Sequence, residues 1–261
     1  FEGERAYNGV IFKGHEHSIR LQKSAEILGM TLPMSIEEID ATKEKVLKAN
    51  NVKDGYVRVV AWRGSEQMGI SAQATQTHMA FCSWDWPSYF SPEKREMGLN
   101  LVTAKYKRPA PDTAPTQAKA AGLYMICTVS KHAAEAEGYD DALMLDYRGY
   151  VAEATGANLF FVKDNVIHTP KPDCFLNGIT RQTVIQIAID SGYEVIERHI
   201  IPEELDEFQE AFLTGTAAEV GAIGSIDEYS FEVGPVVREL REKYEKLVRG
   251  ELKAEDLKKQ A

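Results

Sequence analysis

Strand-like and helix-like segments follow one another here without the strict alternation of a parallel α/β sheet, and that ordering constrains the fold most. Apolar Ile19, Leu21, Ala25, Ile27 and Leu28 recur at helical spacing within residues 15–29, which end at Gly29. Ser35, followed by Ile36, Glu37 and Glu38, reads as the N-cap of a second helix over 35–50, with acids in its first turn. Residues 56–62 and 78–84 are rich in β-branched and aromatic types and read as strands. The polar run 90–97 marks a domain boundary. A strand is expected at 99–106, a loop at 107–116 where Pro109, Pro111 and Pro115 interrupt the chain, and a long helix at 117–137. Further short strands are expected at 142–146, 150–153, 158–163, 193–198 and 211–214. Helices are expected at 179–191, 202–208 and 235–248, with frayed helix at 250–261. Elements grouped in this way predict an α+β fold of two domains, a small N-terminal α/β domain over 1–95 and a larger C-terminal one over 96–261. Residues 1–10 run from Phe1 straight into strand-like Val10-Ile11-Phe12, which suggests a missing N-terminal segment.

The formal net charge of −10 disfavours nucleic acid and anionic membrane surfaces as partners. Any anionic ligand must therefore be held by a local cluster of donors. No apolar run approaches the roughly 18 residues of a membrane span. Cys82, Cys127 and Cys174 are scattered and have no metal or redox spacing, as expected of reduced thiols in a cytoplasmic protein. His15 and His17 lack further ligands nearby, so no metal is expected. A nicotinamide or nucleotide fold is disfavoured, because neither glycine-rich phosphate fingerprint occurs.

Several short segments carry chemistry. Gly178-Ile179-Thr180-Arg181 opens a predicted helix, and helix N-termini present unpaired N–H groups to anions. The same pattern also suits a simple capped helix. Gly215-Thr216-Ala217-Ala218-Glu219 is a run of small residues after a strand, which lets backbone N–H groups approach an anion or simply makes a tight turn. Lys119 lies among Ala118, Ala120, Ala121 and Gly122, where an amine is readily desolvated and freed for covalent chemistry with a carbonyl, although the same pattern suits a solvated surface lysine. Glu153, in the short apolar strand 150–154, needs a cationic partner if it faces inward, and a protonated ring nitrogen would serve. Tyr56 and Arg58 alternate along one strand and share a face. Arg20 sits mid-helix beside apolar Ile19 and Leu21.

In their order along the chain these segments resemble the fold-type IV pyridoxal-phosphate (PLP) enzymes, which include branched-chain aminotransferases, D-amino-acid aminotransferases and aminodeoxychorismate lyases. The specific pieces are Ala118-Lys119-Ala120-Ala121-Gly122-Leu123-Tyr124, Glu153-Ala154-Thr155-Gly156-Ala157-Asn158-Leu159-Phe160, Leu176-Asn177-Gly178-Ile179-Thr180-Arg181 and Gly215-Thr216-Ala217-Ala218-Glu219. The resemblance implies a two-domain, D-amino-acid aminotransferase-like fold with the PLP lysine in the larger domain. It implies that Lys119 carries the cofactor and shuttles a proton, that Glu153 holds the pyridine nitrogen protonated, and that Tyr124 bonds the cofactor's phenolic oxygen. Arg20, Leu176, Gly178, Ile179, Thr180 and Thr216 complete the implied cofactor set, with the phosphate on Arg20, Ile179, Thr180 and Thr216.

Within that family the N-terminal half resembles the branched-chain aminotransferases, in Phe1-Glu2-Gly3, in Tyr56-Val57-Arg58, in Met68-Gly69-Ile70, and in Trp86 and Tyr89. The implied substrate set is Phe1, Tyr56, Arg58, Met68, Gly69, Ile70, Trp86, Tyr89, Thr216 and Ala217. Met68–Ile70 is expected to reach the neighbouring subunit of a homodimer or larger homo-oligomer. Trp62 departs from the smaller aromatic of many relatives. The implied activity moves the amino group of L-leucine, L-isoleucine or L-valine to 2-oxoglutarate. The alternatives are a D-amino-acid or (R)-amine aminotransferase of the same fold, or a non-catalytic PLP-binding protein.

Overall fold

The computed structural model describes residues 1–88 and 90–252. The chain forms two compact units, one of Phe1–Pro87 with Gln117–Ala121, the other of Ser88–Thr116 with Gly122–Ala261. The division falls at 87/88 rather than near 95. The segment bearing Lys119 groups with the N-terminal unit, because the backbone N–H of Lys119 donates to Ser24 Oγ (3.0 Å) and its carbonyl accepts from the Phe1 nitrogen (3.0 Å).

The first unit is a four-stranded sheet backed by two helices. Its strands are β1 (Glu2–Tyr7), β2 (Val10–Ile11), β3 (Gly55–Arg63) and β4 (Thr77–Asp85), in the order β2-β1-β3-β4. Its helices are α1 (Gly14–Ile27) and α2 (Ile36–Ala49). Ser35 caps α2 as expected: its side chain accepts from the Glu38 N–H (3.2 Å), and Glu38 accepts in return from the Ser35 N–H (2.8 Å). Ala6, Leu47, Val52 and Val57 form one apolar cluster of this unit, and Leu21, Ile39 and Val59 another.

The second unit is built on a nine-stranded mixed sheet. After a short helix, α3 (Pro92–Met97), and β5 (Leu99–Thr103), the chain enters α4 (Ala121–Ala136). Four strands follow: β6 (Asp141–Leu145), β7 (Val151–Ala154), β8 (Asn158–Lys163) and β9 (Val166–Pro170). Then come α5 (Ile179–Asp190), β10 (Val195–Arg198), a 3₁₀ turn at Pro202–Glu207, β11 (Glu210–Gly215), β12 (Glu219–Ile226), β13 (Tyr229–Ser230) and α6 (Pro235–Val248). The strand path β8-β11-β12-β5-β6-β7 returns to β8 through the pair Glu153↔Asn158, so the sheet closes on itself. Closure packs inward side chains into a filled interior. Here Leu99, Leu101, Leu143, Leu159, Phe161, Leu213 and Ile223 are all buried in one cluster.

Most predicted elements stand within a few residues of their expected bounds. The helix expected from 117 begins at Ala121, so Lys119 lies in the irregular segment before it. The polar run at 90–97 contains α3. Of the expected frayed tail, 250–252 is turn and bend, and 253–261 lies outside the described residues.

Candidate active site

In the first unit the strands bring Phe1, Tyr56, Arg58 and Lys119 together. Register pairs Gly3 with Arg58 and Arg5 with Tyr56, so these four residues share one face of the sheet. The Arg58 guanidinium lies over the Phe1 ring (4.8 Å) and the Tyr56 ring (5.4 Å). Lys119 Nζ lies 5.0 Å from the centre of the same Phe1 ring. Tyr56 clusters with Trp84 (5.3 Å) and Trp86 (5.2 Å), which also lie 5.8 Å from each other, and Arg5 Nη2 donates to the Trp86 carbonyl (3.3 Å). The Tyr56 hydroxyl rests against Gly3 so closely that a Cβ there would lie 1.8 Å from it. Glycine at position 3 is thus required by close approach.

On the other face of β1, Glu2 is completely buried and accepts from Arg20 through Nε (2.7 Å) and Nη2 (2.8 Å). His17 Nδ1 stands 2.6 Å from the same carboxylate. Burial works against ionising Glu2, yet the Arg20 fork beside it holds the carboxyl far below its usual range. Burial also lowers the pKa of His17, whereas Glu2 raises it less. The ring is therefore harder to protonate than a free histidine, and the acceptor-only carboxylate of Glu2 selects the tautomer with the hydrogen on Nδ1. His15 instead pairs with Asp40 (2.8 Å), so the two histidines serve different carboxylates.

In the second unit, one end of the closed sheet collects Glu153, Asn158, Leu176, Gly178, Ile179, Thr180 and the β11–β12 turn. Asn158 is the hub. It pairs with Glu153 across β7–β8 and with Thr214 across β8–β11. Its Nδ2 donates to the Leu176 carbonyl (3.0 Å), and its Oδ1 accepts from the Gly178 N–H (3.2 Å). A Cβ on Gly178 would meet that Oδ1 at 2.4 Å. Helix α5 begins immediately afterwards, with no side-chain cap and no acid in its first turn, an N-terminus suited to an anion. Thr216, Ala217 and Ala218 form the connection of the β11–β12 hairpin, which Glu219 closes in the left-handed region (φ 55°).

Glu153 is mostly buried, and Arg108 Nε stands 3.2 Å from its Oε1. The protein thus supplies a cation where the sequence suggested only a ring nitrogen. Arg108 also reaches α4, where Nη1 donates to the Leu123 carbonyl (3.2 Å) next to Tyr124. Burial pushes the Cys127 thiol up to about 11, and the charge of Glu153 adds to the effect. Sequence reasoning missed Arg108, which sits in the proline-rich loop far from Glu153. It also gave no role to Asn158, although the residue lies inside a quoted motif. Nor did it give Glu2 or His17 a role in the site.

Of the remaining predicted residues, Tyr124 is half-buried in the first turn of α4, and Met68, Gly69 and Ile70 are exposed in the loop between β3 and β4. Tyr89 lies outside the described residues. Asp146, Asp173 and Cys174 also converge in the second unit, but Arg148 Nη2 donates to Asp146 (2.6 Å) and to both oxygens of Asp173 (2.9 Å), so the cluster is an ion-pair network. Among the described residues no helix is long and apolar enough to cross a membrane.

Each unit by itself holds groups that suit PLP: in the first an amine on an irregular segment, and in the second a mostly buried carboxylate with a cation beside it and a helix N-terminus near a small-residue turn for a phosphate. Residues 1–226 match the model of the class IV amino-transferases, and the chain belongs to that family of PLP-dependent transaminases. A Rickettsia conorii protein described as "Probable branched-chain-amino-acid aminotransferase" is 46% identical over 253 residues, which span 95% of this chain and 86% of that one. The crystal structure of the Escherichia coli branched-chain amino acid aminotransferase superposes with a TM-score of 0.93 at 33% identity, covering 97% of this chain and 86% of that one. The branched-chain amino acid aminotransferase from Thermobaculum terrenum, in its PLP-bound holo-form, gives a TM-score of 0.89 at 30% identity, covering 99% of this chain and 86% of that one.

Proposed function

We propose that this protein transfers the amino group of L-leucine, L-isoleucine or L-valine to 2-oxoglutarate, in the cytoplasm, as a homodimer or larger homo-oligomer with shared active sites. The observation that carries this reading is the Arg58 guanidinium lying on the Phe1 and Tyr56 rings. Such an aminotransferase must accept an apolar side chain in one half-reaction and a carboxylate in the other. A purely apolar pocket would bury that carboxylate unpaired at a cost of several kcal/mol. A cation laid on aromatic walls meets both demands.

PLP, when bound, supplies an electron sink for the charge developed at the substrate's Cα. The chain's own residues do the rest. The Lys119 amine would hold the resting cofactor covalently and, once the substrate amine has taken its place, would be free to move the proton from Cα. The Glu153 carboxylate, kept in place by Arg108, holds the proton on the pyridine nitrogen. The Tyr124 hydroxyl bonds the phenolic oxygen. Arg20, the Ile179 N–H and the Thr180 and Thr216 hydroxyls hold the phosphate, while Leu176 and Gly178 shape the cradle. Tyr56, Thr216 and Ala217 receive the substrate carboxylate. Phe1, Trp86 and Tyr89 wall its side chain.

Exposed Met68 and Ile70, and separately exposed Met125 and Val129 one turn apart on α4, support self-association with Met68–Ile70 completing the partner's site. The test is spectroscopic. The cofactor's near-ultraviolet and visible absorption should change on adding L-leucine and hardly at all with D-alanine. Lys119→Ala should lose both the covalent link and turnover. A response to D-alanine alone would favour the D-amino-acid alternative. Near wild-type turnover in Lys119→Ala would remove Lys119 from its role.

A further inference from the structure

One buried group with no part in this scheme is Glu2. It is fully hidden, on the strand beside α1, and everything it touches leads to Arg20. We propose that Glu2 is a positioning residue for the cofactor phosphate: with His17 it locks the guanidinium of Arg20 in the orientation that receives the phosphate. The inference rests on the reading of Arg20 as a phosphate-holding residue and adds what makes that arginine competent.

Three facts carry it. Glu2 engages Arg20 through a two-point fork, at Nε (2.7 Å) and Nη2 (2.8 Å), which fixes the plane of the guanidinium as well as its position. His17, one turn before Arg20 on α1, holds the second oxygen of Glu2 at 2.6 Å, so the carboxylate cannot rotate to follow a moving arginine. The neighbouring residue on that face of β1, Glu4, is held in turn by Lys43 (2.9 Å), which also donates to the Gly14 carbonyl (2.6 Å) and Ser18 Oγ (2.7 Å) at the start of α1. The helix that carries Arg20 is thereby pinned to the strand along its first two turns. A surface arginine would sample many rotamers and lose that freedom on binding. Arg20 has already lost it.

The experiment compares apo-protein binding of PLP with that of pyridoxal, which lacks the phosphate, by equilibrium dialysis. In Glu2→Gln the amide presents a donor where Arg20 needs an acceptor. The dissociation constant for PLP should rise by about tenfold or more, the scale of one lost charge-assisted bond, with little change for pyridoxal. The same substitution in an Arg20→Ala background should have no further effect on PLP. Equal weakening of PLP and pyridoxal would overturn the proposal, as would full weakening without Arg20 or no weakening at all. If Arg20→Ala itself leaves PLP affinity unchanged, the phosphate role of Arg20 fails first and the proposal falls with it. Should Glu2→Gln not fold, His17→Leu, which frees Glu2 to rotate but leaves the ion pair, enters the same cycle. A smaller loss specific to PLP is then expected, and its absence overturns the proposal.

Discussion

Gly3→Ala tests whether the Tyr56–Arg58 face is built as tightly as it stands. An added Cβ would lie 1.8 Å from the Tyr56 hydroxyl and 2.7 Å from Cζ, inside any allowed contact. Retreat of Tyr56 is resisted by Trp84 and Trp86, whose rings are tilted against it at 5.3 and 5.2 Å. Overpacking of this kind costs about 1–3 kcal/mol. Replacing glycine inside a strand returns about 0.5–1 kcal/mol through lost unfolded-chain entropy. The net is a destabilisation of about 1–2 kcal/mol in urea unfolding. The larger effect should be on substrate. Displacing the Tyr56 hydroxyl removes one bond to the substrate carboxylate, worth about 1.5–3 kcal/mol, or roughly tenfold or more in KM. Tyr56→Phe in the Gly3→Ala background removes the closer of the two clashes and should recover part of the stability but not the KM. Full stability and unchanged KM in Gly3→Ala would refute the close approach and the role of Tyr56 together.

Other perturbations probe the remaining parts of the site. Glu153→Gln should lower kcat by more than about tenfold, over about 1.4 kcal/mol of barrier, in single-turnover kinetics, since the ring nitrogen loses its anionic partner. Unchanged kcat would exclude the role. Arg58→Ala should raise KM for 2-oxoglutarate and glutamate by about 2–3 kcal/mol more than for leucine, and equal losses in the two half-reactions would count against the assignment. Burial lifts Glu4 from 4.5 to about 8, against the opposing pull of Lys43. A folded-state pKa above the unfolded one gives a contribution fully present below about 4.5 and lost as pH rises through about 8. Urea midpoints should therefore fall across that window by more in wild type than in Glu4→Gln, and parallel slopes would refute the shift.

What the sequence revealed followed locality. The Ser35–Glu38 cap, the apolar period of α1, and the β-branched run of β3 are written in neighbouring residues, and each is found where expected. Strand β1 was hidden for the opposite reason. Its residues Glu2, Gly3, Glu4 and Arg5 were assigned no strand of their own, and charged side chains are seldom buried without partners. The partners come from α1 and α2: His17 and Arg20 for Glu2, Lys43 for Glu4. Likewise β12, interrupted by Gly221 and Gly224, shows no clean alternation, yet it is central in the sheet between β11 and β5. The residues proposed for the site were named where a family motif surrounds them. Arg108 carries no such signal, since its meaning depends on Glu153, far along the chain in β7.

Two arginines of the first unit, Arg20 and Arg58, illustrate how the proposed chemistry divides rigidity. Arg20 is locked by a buried carboxylate, whereas Arg58 rests on two aromatic rings and makes no ion pair among the described residues. Buried ion pairs contribute little net stability, because desolvation offsets most of the attraction. The Glu2–Arg20 pair is therefore better explained by the geometry it imposes than by the fold it supports. A phosphate is the same anion in both half-reactions, so a fixed receptor loses nothing. The substrate side chain changes from apolar to anionic between half-reactions, so its receptor must change with it. A guanidinium held by ring faces, each worth about 0.5–2 kcal/mol, can leave them for a carboxylate and return when leucine takes its place. Arg58→Lys should therefore impair glutamate more than leucine, since the ammonium keeps the charge but loses the planar face that stacks and the fork that binds a carboxylate at two points.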